Sequence, residues 1–219
     1  MSGQFGNPSS MHSYGRPARA ALDEARERMA KLLGSKANEI IFTSGGTEAD
    51  NLAIIGVSRA LKSRGRHLIT SCVEHHAVLA AAEFLQKQEG FEVTYLPVDS
   101  NGLVAVAEVS QVLRSDTILV SVMMANNETG TLQPVAEIGR LCRERGVLFH
   151  TDAVQAVGKI PVSWNDLNVD LLSLAAHKFY GPKGVGALVA RGGVKIDPLQ
   201  RGGSQEMQKR AGIEYLPGI

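Results

Sequence analysis

Lys178 follows directly on an apolar, strand-like run and sits between His177 and the aromatic pair Phe179-Tyr180. A lysine at the mouth of a sheet with such neighbours is a candidate for a desolvated, nucleophilic amine, where most lysines are solvated surface groups. Asp152 ends a second apolar run, in His150-Thr151-Asp152-Ala153-Val154-Gln155. A carboxylate there is costly unless paired. It either caps the next segment or neutralises a buried cation, and Gln155, three residues on, can face the same ligand. Thr43-Ser44-Gly45-Gly46-Thr47-Glu48 reads as a Gly-rich strand-to-helix junction. The free N–H groups and dipole of a helix start make such a junction a phosphate cradle. The run is neither GxGxxG nor a Walker A loop, and a tight turn with a Thr cap is the plain alternative.

Two further clusters follow strands. In Glu74-His75-His76 the adjacent histidines face different ways and make a poor chelate pair, so no metal ligand set is expected. A capping or solvated His is one reading, and a ring-stacking or acid–base His the other. Asn126-Asn127-Glu128-Thr129-Gly130 is a polar turn or a source of amide donors. Each signal alone is modest. A phosphate cradle, a carboxylate, a Gln, an Asn, a His and a Lys at successive strand ends are together what pyridoxal phosphate requires. The lysine amine takes up the carbonyl, and the acid keeps the pyridine nitrogen protonated so that the ring accepts electrons.

The elements that must position these residues alternate along the chain. Helical spacing of apolar residues predicts helices over 16–33, 47–64, 76–89, 106–114 and 134–145. Short apolar runs predict strands over 39–43, 67–71, 91–97, 117–124, 147–151, 170–175 and 185–190. Seven strands mostly separated by helices imply an α/β fold: a mostly parallel, seven-stranded sheet flanked by helices. Only residues 176–184 separate the last two strands, too few for a parallel crossover, so the seventh strand should run antiparallel if it pairs with the sixth at all. Beyond Arg191 the pattern weakens, and Arg201-Gly202-Gly203-Ser204 reads as loop.

The 219 residues fit one large domain. With 44% apolar and 21% charged residues the chain can bury a core. Lys+Arg of 23 against Asp+Glu of 22 leaves a net charge of +1, with no electrostatic footprint for nucleic acid or an anionic membrane. No apolar window reaches transmembrane length, and the start lacks a secretory signal pattern. Cys72 and Cys142 cannot make a disulfide framework, so a reducing, cytoplasmic setting is expected. Both cysteines are expected in the packed core.

The segments FGNPSS, FTSGGTEADNLAI, VEHHAV, ANNETG, HTDAVQAVGK, HKFYGPKGVGAL and GGSQE resemble those of the cysteine desulfurases, pyridoxal-phosphate enzymes of the class V aminotransferase group related to selenocysteine lyases. The resemblance runs from Phe5 to Ile219 and implies the large domain of that fold across residues 1–219, without the family's C-terminal small domain. It implies that Lys178 carries pyridoxal 5'-phosphate, Asp152 pairs with the pyridine nitrogen, and Gln155 bonds the phenolic oxygen. His75 would stack on the ring and assist proton transfer. Gly46 and Thr47 would bind the phosphate with His177, and Asn127 would contact substrate or ring. Lys159 and Lys183 are rival lysines placed behind Lys178. The implied reaction takes L-cysteine to L-alanine and passes sulfur to a protein cysteine as a persulfide, for iron–sulfur cluster assembly. The implied partners are a second subunit, in a homodimer of the full-length enzyme, and a sulfur-acceptor or scaffold protein. A selenocysteine lyase or other class V enzyme, and a non-catalytic interaction module, are the alternatives.

Three departures bear on activity. The family's sulfur-accepting cysteine and carboxylate-binding arginine have no counterpart among these residues. Ala175 stands where the family usually has Ser two residues before the His-Lys pair. Ile213 stands where it has Thr in Arg-Ala-Gly-Thr-Glu-Asn. Loss of two hydroxyl donors to a charged phosphate, at about 1.5–3 kcal/mol each, predicts weakened cofactor binding and impaired activity for this chain.

Overall fold

The computed structural model describes residues 6–219, so Phe5 of the FGNPSS segment lies outside the described residues. The element order is α1 (Gly15–Leu33), β1 (Ile40–Thr43), α2 (Gly46–Asn51), a π-turn at Leu52–Gly56, α3 (Val57–Leu61), β2 (His67–Ser71), α4 (His76–Glu89), β3 (Glu92–Leu96), α5 (Val106–Val112), β4 (Thr117–Ser121), α6 (Val135–Glu144), β5 (Leu148–Asp152), β6 (Leu171–Ala175) and β7 (Gly186–Ala190). The strands form one seven-stranded sheet in the order β1-β7-β6-β5-β4-β2-β3.

Four of the six strand pairs are parallel, as the alternating pattern requires. β7 is antiparallel to both β6 and β1, because the short connection after β6 leaves no room for a crossover. Two reversals cancel, so β1 points the same way as β2, β4, β5 and β6. The carboxyl ends of these five strands therefore share one edge of the sheet, where open α/β sheets bind ligands.

The sheet is buried on both faces. Leu22, Ile69, Val120, Phe149 and Leu172 belong to one apolar cluster. Ile41, Leu68, Leu119, Leu171 and Leu188 belong to the other. Neighbours in sequence such as Leu171 and Leu172 fall on opposite faces, as a pleated strand dictates. Among the described residues no helix is long and apolar enough to cross a membrane.

The expected helix over 47–64 is observed as α2, the π-turn and α3, ending at Leu61. The wide turn lies where Asp197 N donates to the Gly56 carbonyl at 2.9 Å. A side chain at Gly56 would meet that same segment's backbone at 2.9 Å. Beyond β7 the chain is not featureless loop. Glu206, Met207 and Gln208 take left-handed φ of 45°, 56° and 63°, within a tight turn at Gln205–Gln208.

Candidate active site

Five chain segments leave the shared sheet edge and enclose a cavity of about 220 Å³. Gly46, Thr47, His75, Asn127, Asp152, Gln155, His177 and Lys178, the residues singled out in the sequence, all line it. Asp50, Met123, Val154 and Ala175 complete the wall. A larger hollow of about 450 Å³ beside α1 is lined mainly by apolar side chains such as Leu32, Leu33 and Phe179. Its charged side chains are Glu24 and Arg28, and it holds none of the strand-end residues singled out in the sequence.

The cradle is built by backbone geometry. Gly45 adopts φ +154° and ψ −178°, a region essentially closed to residues with a Cβ. Thr43 Oγ1 donates to the Gly45 carbonyl at 3.0 Å. Ser44 N donates to Glu48 Oε2 at 2.7 Å. Beneath the turn, a Cβ on Gly186 would lie 2.6 Å from Gly45 backbone atoms, so β7 can pass there only as glycine. The first N–H groups of α2, at Gly46 and Thr47, have no acceptor within the helix. They open onto the cavity.

His75 reconciles its two readings. It is the N-cap of α4, its Nδ1 accepting from Ala77 N at 3.1 Å, and it also lines the cavity. The cap leaves the Nε2 side free for a ligand. The two asparagines divide the labour. Asn126 holds the turn, its Oδ1 accepting from Glu128 N and Thr129 N at 2.9 Å and its Nδ2 donating to Val73 O at 2.9 Å. Asn127 faces the cavity.

Asp152 is buried, and its Oδ1 accepts from Val154 N at 2.9 Å, so it caps the next turn as well. Burial raises its pKa, while the Val154 bond and the nearby His75 and Lys178 side chains pull it down. Among the described residues it has no ion-pair partner. Gln155 Oε1 accepts from Lys159 Nζ at 2.5 Å, which occupies that rival lysine.

Lys178 is exposed rather than desolvated. It sits in the tight turn Ala176–Phe179, which lifts it and His177 off the end of β6 over the cavity mouth. Among the described residues its amine has no carboxylate or hydrogen-bond partner. Cys142 is buried, and burial pushes its thiol up to about 12. Cys72 is exposed and overturns the expectation of a core residue. It lies one residue past β2, its N–H still donating to Leu96 O of β3 at 3.0 Å while the residue itself is exposed. Neither thiol lines the cavity.

Sequence reasoning missed Asp50, which is three residues after Thr47 on α2 and so shares its helix face. It named Glu74 beside His75 and His76 but gave it no role. That carboxyl is buried, and its Oε1 accepts from Ser71 Oγ at 2.6 Å and Met123 N at 2.8 Å, tying the end of β2 to the cavity wall. Burial pushes Glu74 up to about 8 from an ordinary 4.5. The folded chain thus keeps a proton that the unfolded chain releases. Its contribution to stability is complete below pH 4.5 and is lost as the pH rises through about 8. The urea midpoint is expected to fall from pH 5 to 8, and Glu74→Gln to flatten that slope by about one proton. An unchanged slope would show that Glu74 is ionised in the folded chain.

The residues fit pyridoxal phosphate on the structure's own terms. An unpaired buried carboxylate at the floor suits a cationic ring nitrogen. A helix start suits a phosphate, and an unengaged amine at the mouth suits an aldehyde. Among the described residues no group of three or more His, Cys, Asp or Glu is placed to hold a metal ion.

The sequence profile described as aminotransferase class-V matches residues 2–216. The chain is 59% identical to a protein named cysteine desulfurase IscS from Dictyoglomus turgidum, over 99% of this chain and 55% of that one. A solved structure of a NifS-like protein superposes with a TM-score of 0.95 at 45% identity, covering 99% of this chain and 60% of that one. A structure titled SspA in complex with cysteine gives a TM-score of 0.95 at 41% identity, over 100% and 63%. The chain spans about half the length of the curated relative it matches.

Proposed function

The chain belongs to the class-V aminotransferase family, and from that premise we propose that its cavity is the pyridoxal 5'-phosphate site of a cysteine desulfurase. The observation that carries this reading is one cavity lined by Lys178, Asp152 and the start of α2. The similarity to desulfurases and to a protein solved with cysteine supports it. Residues 1–219 are then the cofactor-holding large domain, which acts in a homodimer of the full-length enzyme in a reducing, cytoplasmic setting.

When bound, the cofactor supplies an electron sink for cleavage chemistry on an amino acid. Lys178 would hold its aldehyde carbon through the free amine. Asp152 would keep the ring nitrogen protonated. The N–H groups of Gly46 and Thr47, with His177, would hold the phosphate. Gln155, now held by Lys159, would donate to the phenolic oxygen. His75, fixed by its capping bond, would line the ring's site and move a proton at Nε2. Asn127 would orient the substrate.

The substrate is L-cysteine, and the products are L-alanine and a persulfide on an acceptor thiol. Cys142 is too buried to serve and Cys72 does not reach the cavity, so the acceptor comes from outside these residues and delivers sulfur toward iron–sulfur cluster assembly. The test is alanine release from L-cysteine by the full-length enzyme, with selenocysteine run beside it. Release of alanine only from selenocysteine would reassign the substrate.

Ala175 offers a second handle. Its Cβ lies 3.5 Å from where a Gly46 side chain would start, so a hydroxyl there would stand beside the cradle. Ala175→Ser is expected to tighten pyridoxal phosphate about tenfold, the worth of one hydrogen bond to a charged group. Equilibrium titration of cofactor absorbance reads this, and an unchanged affinity would place the phosphate elsewhere.

A further inference from the structure

A row of polar side chains lies behind the cavity wall, and the proposed chemistry uses only its end. Ser121 of β4 is in register with His150 of β5, and Asp152 of β5 with Ser173 of β6. Register partners in parallel strands share a face, as do residues two apart on one strand. Ser121, His150, Asp152 and Ser173 therefore form one row on one face of the sheet, and Asp50 reaches it from α2. Ser121 Oγ and His150 Nδ1 are 2.8 Å apart, and His150 Nε2 and Ser173 Oγ 2.9 Å. Asp50 Oδ1 lies 3.6 Å from His150 Nε2 and has no hydrogen-bond partner. Asp50 is 1% exposed and Asp152 4%, and both line the same cavity.

His150 offers Asp50 no positive charge. Both ring nitrogens are engaged by serine hydroxyls, and burial pushes its pKa down to about 3. The other titratable groups facing the pair are Glu74 and His75, the two residues before α4, and Lys178 beyond β6. Two carboxyls in one dry wall cannot both ionise cheaply. Burial disfavours the charged form of both; at Asp152 the Val154 N–H, His75 and Lys178 all oppose that effect, whereas at Asp50 Asp152 and Glu74 add to it and only the Ser173 hydroxyl opposes it.

We propose that Asp50 and Asp152 form one acid pair that keeps a single proton, with Asp50 holding it, so that Asp152 alone carries the negative charge at the cavity floor. Asp50 is then a positioning residue, setting the charge of Asp152 and taking no part in bond making. The inference deepens the proposed cofactor site and rests on that reading for its purpose, but its test needs no cofactor.

Infrared difference spectra of the unloaded chain at pH 7 read protonated carboxyls directly. Glu74 gives its own signal, which the Glu74→Gln variant identifies. In that background a second protonated-carboxyl signal is expected, lost in Asp50→Asn and retained in Asp152→Asn. Loss in Asp152→Asn with persistence in Asp50→Asn would overturn the proposal, as would no second signal. Should Asp50→Asn fail to fold, Asp152→Asn decides alone: retention supports the pair as assigned and loss overturns it. The fall of the urea midpoint with pH, between pH 5 and 7, should also shrink by about one proton in Asp50→Asn; an equal slope overturns the assignment. Titrating the parent with pyridoxal phosphate tests the cofactor reading separately, so either can fall alone.

Discussion

Replacing Lys178 with alanine is expected to abolish the absorbance band of bound pyridoxal phosphate and to lower alanine release by at least about a thousandfold, the scale on which removal of a covalent catalytic group acts. Three features make the effect large. Lys178 is the lysine that lines the cavity. Its rival Lys159 is held on Gln155, and Lys183 lies outside the cavity wall in an exposed turn. The exposure of Lys178 means that truncation removes little packing, so the fold should survive and the loss will be chemical. Lys178→Arg sharpens the reading. It keeps the positive charge facing Asp152 but cannot form the bond to the aldehyde carbon. It should therefore retain some non-covalent cofactor and no activity. A Lys178→Ala protein that still showed the band and released alanine would move the cofactor to another lysine.

Arg26→Ala is expected to cost about 3–5 kcal/mol, the penalty for leaving a buried partner charge uncompensated, against a total stability of roughly 5–15 kcal/mol for a domain. Arg26 on α1 makes two bonds to Glu206, at 2.9 and 2.6 Å, and its guanidinium lies 4.7 Å from the Phe42 ring centroid. The Glu206 side chain is 0% exposed, and its Oε2 also accepts from Phe42 N at 2.9 Å. The carboxylate thus ties α1, β1 and the Gln205–Gln208 turn together. Three consecutive left-handed residues each cost on the order of 1–3 kcal/mol, so this turn persists only while it is anchored. A short way on, Arg210 Nε donates to Glu48 Oε1 at 2.8 Å. Burial would raise the Glu48 carboxyl, but Arg210 and Ser44 together hold it below its usual range. Unfolding in urea measures the loss, and the milder double variant Arg26→Ala/Glu206→Gln separates the stranded charge from lost packing. A single-variant cost under about 1 kcal/mol would mean the pair behaves as a surface ion pair.

The local pattern carried most of the fold. The limits of β2 and α4 followed from apolar spacing and a terminal Gly90, and the reversal of β7 followed from connection length alone. The five chemical loops were legible because strand ends concentrate at one edge, which makes a polar residue after an apolar run informative. Three things were not legible. The π-turn depends on Asp197 meeting Gly56, 141 positions along the chain. The partnership of Arg26 with Glu206 spans 180 positions. Nothing in the sequence set Asp50 apart from other charged helix residues, and Glu74 stood out only as the neighbour of His75. Only the fold turns them inward, where burial rather than sequence context sets their protonation. Lys178 was misjudged for the same reason, since the turn after β6 decides whether its amine meets protein or solvent.

The central claim is that this cavity holds pyridoxal phosphate through Lys178. Mixing the purified chain with one equivalent of pyridoxal phosphate, reducing with borohydride and mapping the labelled peptide by mass spectrometry tests it most directly. The account predicts a single stable adduct on Lys178. Absence of any adduct, or its appearance on Lys159 or Lys183, would contradict it.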